Sequence, residues 1–296
     1  MSLPLPRGAR VPDRIVWING SLVRGEEAVL SVFDRGARDG GGVFETLRVY
    51  GGRPFAWERH MERLVLSAAE LGFPVPPSPS RLRTAVDEVL AAGHLGDAVV
   101  RITVTRGIPG GRPVRTGSWI EAEALGGRLW VGTRTAHAGD GGPAGGRVIL
   151  SHTPFSPGWL GRHKTTGRLA YDLAREEARA AGVDEALLVS PAGEVLEGAA
   201  SNLFVSDAGG LVTPALAADV LPGVTRAIVI GLCAELGLAV REAPVPLALL
   251  HSTPEAFVTN SVQEVLPLAQ VAGRTLSERT QGLRLLAAYR ERVAVS

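Results

Sequence analysis

The chain has 296 residues, a length that predicts one large or two ordinary domains. Apolar residues make up 45% of it, enough for substantial cores, and the formal charge of +1 gives no electrostatic grounds for a nucleic-acid or membrane-surface partner. The single cysteine, Cys233, excludes a disulfide within the chain, and no stretch reaches the roughly 18 apolar residues of a membrane span. The opening MSLPLPRGARVPDR lacks the apolar run of a signal peptide, so a cytoplasmic protein is expected.

Residues 1–13 read as a loose Pro- and Arg-rich arm. Ile15-Val16-Trp17-Ile18, Asn19-Gly20 and Ser21-Leu22-Val23 form a hairpin pattern, because Asn-Gly supplies the two positive-φ positions of a tight turn. A Gly-rich loop, Asp39-Gly40-Gly41-Gly42, leads into a strand from Val43 to Tyr50 with Phe44, Thr46 and Arg48 on one face. Helical periodicity runs from Glu58 to Leu71, placing His60 and Arg63 on one face, and a second helix runs from about Ser80 to Ala92. Ala98 to Thr105 is a strand with Arg101, Thr103 and Thr105 on one face; Arg106 closes it, and a Gly/Pro-rich loop covers 107–117. Another strand is predicted at 128–133.

The stretch 136–146 is the linker candidate, separating an N-terminal domain, 1–135, from a C-terminal domain, 147–296. Beyond it, helices are predicted over 167–181, from Leu221 to about Leu236 with Gly237 as cap, and over 279–293. Strands are predicted at Ala186–Val189, Asn202–Val205 and Ala256–Thr259.

One residue stands apart. Lys164 is the only lysine, and every other Lys/Arg position is Arg. Arg serves equally well on a solvated surface but cannot lose its proton near neutral pH; Lys can, and then forms Schiff bases. Leu221-Pro222-Gly223-Val224-Thr225 opens a helix whose unpaired N–H groups and Thr hydroxyl suit an anion. Glu197, among small residues in Leu196-Glu197-Gly198-Ala199-Ala200, offers a carboxylate to a protonated heterocyclic nitrogen. An amine, a phosphate cradle and a pyridinium partner are together what pyridoxal phosphate requires.

At these residues the chain resembles the fold type IV pyridoxal-phosphate enzymes, the class IV aminotransferases and their relatives. The stretches that carry the resemblance are Asp34-Arg35-Gly36, Gly42-Val43-Phe44-Glu45-Thr46-Leu47-Arg48, His60-Met61-Glu62-Arg63-Leu64, Lys164 with its helix, Glu197-Gly198-Ala199-Ala200-Ser201-Asn202-Leu203-Phe204, Leu221-Pro222-Gly223-Val224-Thr225-Arg226 and Asn260-Ser261-Val262-Gln263-Glu264. The resemblance implies an α/β (α+β) fold of two domains, like that of D-amino acid aminotransferase, with pyridoxal 5'-phosphate in the cleft between them, and a homodimer. It implies that Lys164 holds the cofactor and moves the Cα proton, that Glu197 pairs with the pyridine nitrogen, and that Arg63 binds the phosphate. Val224, Thr225 and Ser261 complete the phosphate cup, Ser201 joins the cofactor set, Leu221 packs on the ring, and Arg168 reaches the ring hydroxyl. No metal is implied.

Within the family, Phe44 and the Gly110-Gly111-Arg112-Pro113-Val114 loop depart from the Tyr and the Arg-x-His pair usual in D-amino acid aminotransferases. Phe44-Glu45-Thr46-Leu47-Arg48 departs from the Phe-Glu-Gly-x-Arg usual in branched-chain enzymes. Thr259-Asn260-Ser261-Val262 is similar to bacterial 4-amino-4-deoxychorismate lyases, which release pyruvate and form 4-aminobenzoate for the folate pathway; that activity is the first expectation, and an aminotransferase the second. Phe44, Arg48, Arg101, Arg106 and Asn260 are the expected substrate contacts. Arg38-Asp39 stands where the family usually has an aromatic residue, which predicts a more polar pocket.

Overall fold

The computed structural model describes residues 14–73, 78–110, 116–125 and 145–296. The expected N-terminal arm, the strand at 128–133, nearly all of the 136–146 linker and the middle of the 107–117 loop lie outside the described residues. The described chain forms two compact units. The first comprises the described residues up to 125 together with Lys164–Gly167; the second comprises 145–163 and 168–296.

The elements of the first unit are β1 (Ile15–Ile18), β2 (Ser21–Arg24), α1 (Arg35–Asp39), β3 (Gly42–Tyr50), β4 (Arg53–Pro54), α2 (Trp57–Glu70), α3 (Pro79–Ala92), β5 (Ala98–Thr105) and β6 (Ser118–Ala124). They build a six-stranded antiparallel sheet in the order β2-β1-β6-β5-β3-β4. Asn19 and Gly20 both have positive φ, 51° and 105°, as the hairpin pattern requires. β3 and β5 pair from Gly42 opposite Thr105 to Val49 opposite Ala98. Alternation then sorts their side chains. Val43, Leu47, Val49, Val100, Ile102 and Val104 join the core that includes Met61, Leu64 and Ala68 of α2 and Leu82, Val86 and Val89 of α3. Phe44, Thr46, Arg48, Arg101, Thr103 and Thr105 share the other face, as the spacing predicts. α3 begins one residue earlier than expected, with Pro79 in its first turn and the Ser78 hydroxyl accepting from the Arg81 N–H.

The lysine segment groups with this unit rather than with the C-terminal domain, where the sequence reading puts it. The cause is backbone pairing. Phe44 N–H donates to Lys164 O (2.9 Å) and Thr166 N–H donates to Gly42 O (2.8 Å), an antiparallel bridge centred on Val43 and Thr165. The Thr166 hydroxyl adds a bond to Gly40 O at 2.8 Å. Gly42 permits the approach: a Cβ there would lie 2.8 Å from Thr166 Oγ1.

The second unit contains β7 (Gly146–Leu150), α4 (Leu169–Ala180), β8 (Glu185–Val189), β9 (Val195–Gly198), β10 (Asn202–Asp207), β11 (Gly210–Thr213), α5 (Val224–Glu235), β12 (Val240–Glu242), α6 (Leu247–Ser252), β13 (Ala256–Asn260), β14 (Glu264–Val271), β15 (Arg274–Thr275) and α7 (Thr280–Ala294). Its mixed sheet runs β12-β11-β10-β13-β14-β7-β8-β9, with β15 on β14. One core gathers Val148, Leu187, Leu203, Val205, Val258 and Leu268; another packs Phe155, Tyr171, Ala174, Leu188 and Leu196 together. β9 is a strand the sequence reading passes over as a connection. All four of its residues are buried, and it pairs with β8 through Leu188 opposite Glu197. Among the described residues, no helix is long and apolar enough to cross a membrane.

Leu47 is fully buried in the first core. Leu47→Ala is expected to destabilise the protein by about 2–5 kcal/mol, measured by denaturant unfolding, since lost transfer energy and the residual cavity add.

Candidate active site

In the first unit, β3 places Lys164 and Phe44 side by side through the backbone bond already described. Lys164 Nζ stands 4.7 Å from the centroid of the Phe44 ring, and the Arg101 guanidinium carbon stands 3.8 Å from the same centroid. Of the arginines expected to meet substrate, Arg101 is therefore grouped with the lysine. Arg48 shares the sheet face and lies over the Tyr50 ring at 4.6 Å. Arg106 instead donates to Gly72 O at 3.4 Å and packs beside Phe73.

The opposite face of β3 carries a charge in the core. Glu45 is fully buried. Arg63 grips it with two bonds, Nε to Oε1 at 2.7 Å and Nη2 to Oε2 at 2.6 Å, and His60 Nδ1 lies 2.7 Å from Oε2. Burial alone pushes the Glu45 pKa up, but the Arg63 charge and the bonds from His60 and Arg63 outweigh it and hold the group at about 2. Burial also pushes the His60 pKa below its usual value, against the pull of Glu45. With Glu45 ionised and His60 neutral, Nδ1 carries the imidazole proton and donates it. Arg63, the expected phosphate ligand, is thus pre-oriented by a buried carboxylate.

In the second unit, Glu197 is 3% exposed on β9. Its Oε1 accepts from the Tyr171 hydroxyl and its Oε2 from the Leu221 N–H, each at 3.0 Å. The Leu221 carbonyl accepts from Asn202 Nδ2 at 2.9 Å. Gly223 follows, where a Cβ would lie 1.9 Å from Asn202 Oδ1, so only glycine lets the turn close on that amide. Gly223 is the N-cap of α5, and no side-chain hydrogen bond caps that helix end, where Val224 and Thr225 form the first turn.

Other expected ligands have partners inside the protein. The Ser201 hydroxyl donates to Glu185 Oε2 at 2.9 Å, and the N–H groups of Ala186 and Ala200 donate to the same carboxylate. Burial pushes the Glu185 pKa up, and these three donors partly offset it. Arg168 donates to Ala199 O at 3.1 Å, with its guanidinium carbon 3.6 Å from the Tyr171 ring centroid. Asn260 Oδ1 accepts from the N–H groups of Val262 and Gln263, and its Nδ2 donates to Gln263 Oε1, so its amide organises the turn that presents Ser261. Arg38 and Asp39 pair with each other on the exposed side of α1. Four residues absent from the sequence-derived set now stand beside it: Glu45, His60, Tyr171 and Asn202. The shared helix face of His60 and Arg63 was the legible trace of the first two.

Residues 42–271 match the family described as amino-transferase class IV, and the chain belongs to it. It is a pyridoxal-phosphate-dependent enzyme with the mixed α/β fold of that family. A putative branched-chain-amino-acid aminotransferase of Methanocaldococcus jannaschii is 32% identical over 278 residues, 90% of this chain and 91% of that protein. The D-alanine aminotransferase of Bacillus licheniformis is 28% identical over 268 residues, 90% and 92% of the two chains. The solved T.th. branched-chain amino acid aminotransferase, complexed with N-(5'-phosphopyridoxyl)-L-glutamate, superposes with a TM-score of 0.82 at 28% identity, over 96% of this chain and 95% of that one.

Glu45→Gln leaves Arg63 without its buried counter-charge. It is expected to cost about 3–5 kcal/mol of stability in denaturant titrations. Because the Glu45 pKa is depressed on folding, the ion pair stabilises above the usual carboxylate range and is lost as pH falls towards about 2. The variant should therefore show a flatter acid limb of stability than the parent.

Proposed function

We propose that this protein is an aminotransferase taking an apolar amino acid as donor and a keto acid as acceptor. The observation that carries the reading is the end-to-end likeness to proteins named as aminotransferases. The lyase expectation leans on Thr259-Asn260-Ser261-Val262, and there the Asn260 amide is engaged in its own turn.

The residues suit pyridoxal phosphate. Lys164 would be its attachment amine, Glu197 the partner of its ring nitrogen, and Leu221 a wall of its ring. The first-turn N–H groups of α5, the Thr225 hydroxyl and Ser261 of the second unit, and Arg63 of the first, would hold its phosphate. When bound, the cofactor supplies an electron sink for the pair left at the substrate Cα. Lys164 takes the proton from that Cα and holds it for return. Phe44 offers an apolar wall beside the amine, and Arg101, on the same ring, offers a cation for the substrate carboxylate. The buried Glu197 would keep the ring nitrogen protonated and so preserve the sink.

The chain is also proposed to act as a homodimer in the cytoplasm. Val29, Val32 and Phe33 expose 74%, 74% and 64% of their surface, an apolar run that supports coverage by a second copy.

The reading is tested by following the cofactor's absorbance while L- and D-amino acids are added. Bleaching by an apolar amino acid, with release of its keto acid, is the expected outcome, and the enantiomer that works names the donor. A band unchanged through the panel, with pyruvate released from aminodeoxychorismate, makes the enzyme a lyase. Lys164→Ala should carry no covalently held cofactor after borohydride reduction, read by intact mass. Phe33→Glu should reduce the mass measured by light scattering to that of one chain.

A further inference from the structure

Tyr171 is the residue whose placement no part of that reading uses. It lies on α4, in the core that also holds Phe155 and Leu196. Phe155 meets its ring edge-on, with centroids 4.9 Å apart and planes at 78°. Arg168 lies against the ring at 3.6 Å and is itself tied to Ala199 O. With the ring held on both counts, the hydroxyl has one direction, towards Glu197 Oε1 at 3.0 Å. The Leu221 N–H takes the other oxygen. These two donors, one on each oxygen, fix the plane of the carboxylate, whose oxygens offer about four acceptor positions between them. Ionisable groups on this part of the fold include Tyr171 and Arg168 on the α4 side, and Glu185 on the strand side, directed to the turn at Ala200 and Ser201. Burial, reinforced by the Glu197 charge, pushes the Tyr171 pKa up, so the phenol remains a donor.

We propose that Tyr171 is a positioning residue for Glu197: its hydroxyl fixes the plane of the carboxylate and favours its ionised form, and Arg168, instead of reaching the cofactor, fixes Tyr171. The proposal rests on Glu197 being the ring-nitrogen partner.

The test uses the full chain as parent, Tyr171→Phe and Glu197→Gln. Pyridoxal phosphate affinity is measured across pH by absorbance titration, and the melting of each cofactor-free protein is recorded. Tyr171→Phe keeps the ring and its Arg168 contact but removes the donor. It should weaken cofactor binding by about tenfold, the scale of one bond to a charged group. Removing a donor from the charged form also makes the carboxylate easier to protonate, so the acid limb of binding should move to higher pH. An affinity and acid limb matching the parent, while Glu197→Gln loses both, overturns the role of Tyr171 and leaves the Glu197 reading intact. An unchanged Glu197→Gln overturns that reading and the proposal with it. Lower melting of Tyr171→Phe with an unmoved acid limb reduces Tyr171 to a packing residue and also overturns the proposal.

Discussion

A short backbone pairing decides where the only ε-amine of this chain stands. Lys164 and Thr166 exchange main-chain bonds with Phe44 and Gly42, so the lysine is registered to the first strand of the β3–β5 pair as firmly as one strand is to another. Registration by main chain asks nothing of the side chain, because the amide and carbonyl hold the residue in place. The same register sets Phe44 beside the amine and, through β5, sets Arg101 on the same ring. A slip of one residue would turn every one of these side chains to the helix-packed face.

Three buried carboxylates solve the same desolvation problem differently. Glu45 is met by a guanidinium and an imidazole and stays charged to low pH. Glu185 is hydrogen-bonded by neutral donors, and burial outweighs them and the Arg175 charge, so its pKa rises. Glu197 accepts from the Tyr171 phenol and the Leu221 N–H. Neutral donors orient a carboxylate without cancelling its charge, whereas a bidentate arginine does both. That difference sets Glu45, engaged in holding Arg63, apart from Glu197, the acid proposed to meet a cationic heterocycle.

Much of the architecture was legible because alternation and helical period are local. The β3 and β5 faces, the Asn19-Gly20 turn and α2, α3, α5 and α7 follow from such patterns within a few residues. β9 escaped because Val195–Gly198 is buried on both faces and shows no alternation. The home of the lysine segment escaped for a different reason: its partners, Gly42 and Phe44, are more than a hundred residues away in sequence and bond through main chain, which no side-chain pattern reports. For the site, motif residues were legible as a set but their partners were not. Ser201 and Asn260 lie in recognisable stretches, yet their polar groups serve Glu185 and a turn. Glu45 lies in a recognisable motif, yet its role shows only in the fold, where Arg63 and His60 of α2 meet its carboxylate.

The solitary lysine also has a chemical consequence. Aldehydes add readily to any accessible amine, and a protein with lysines over its surface collects them indiscriminately. Here the cationic surface is built from arginine, whose guanidinium stays protonated. Among the side chains, an aldehyde has a single amine to find, and the fold has fastened it to a strand.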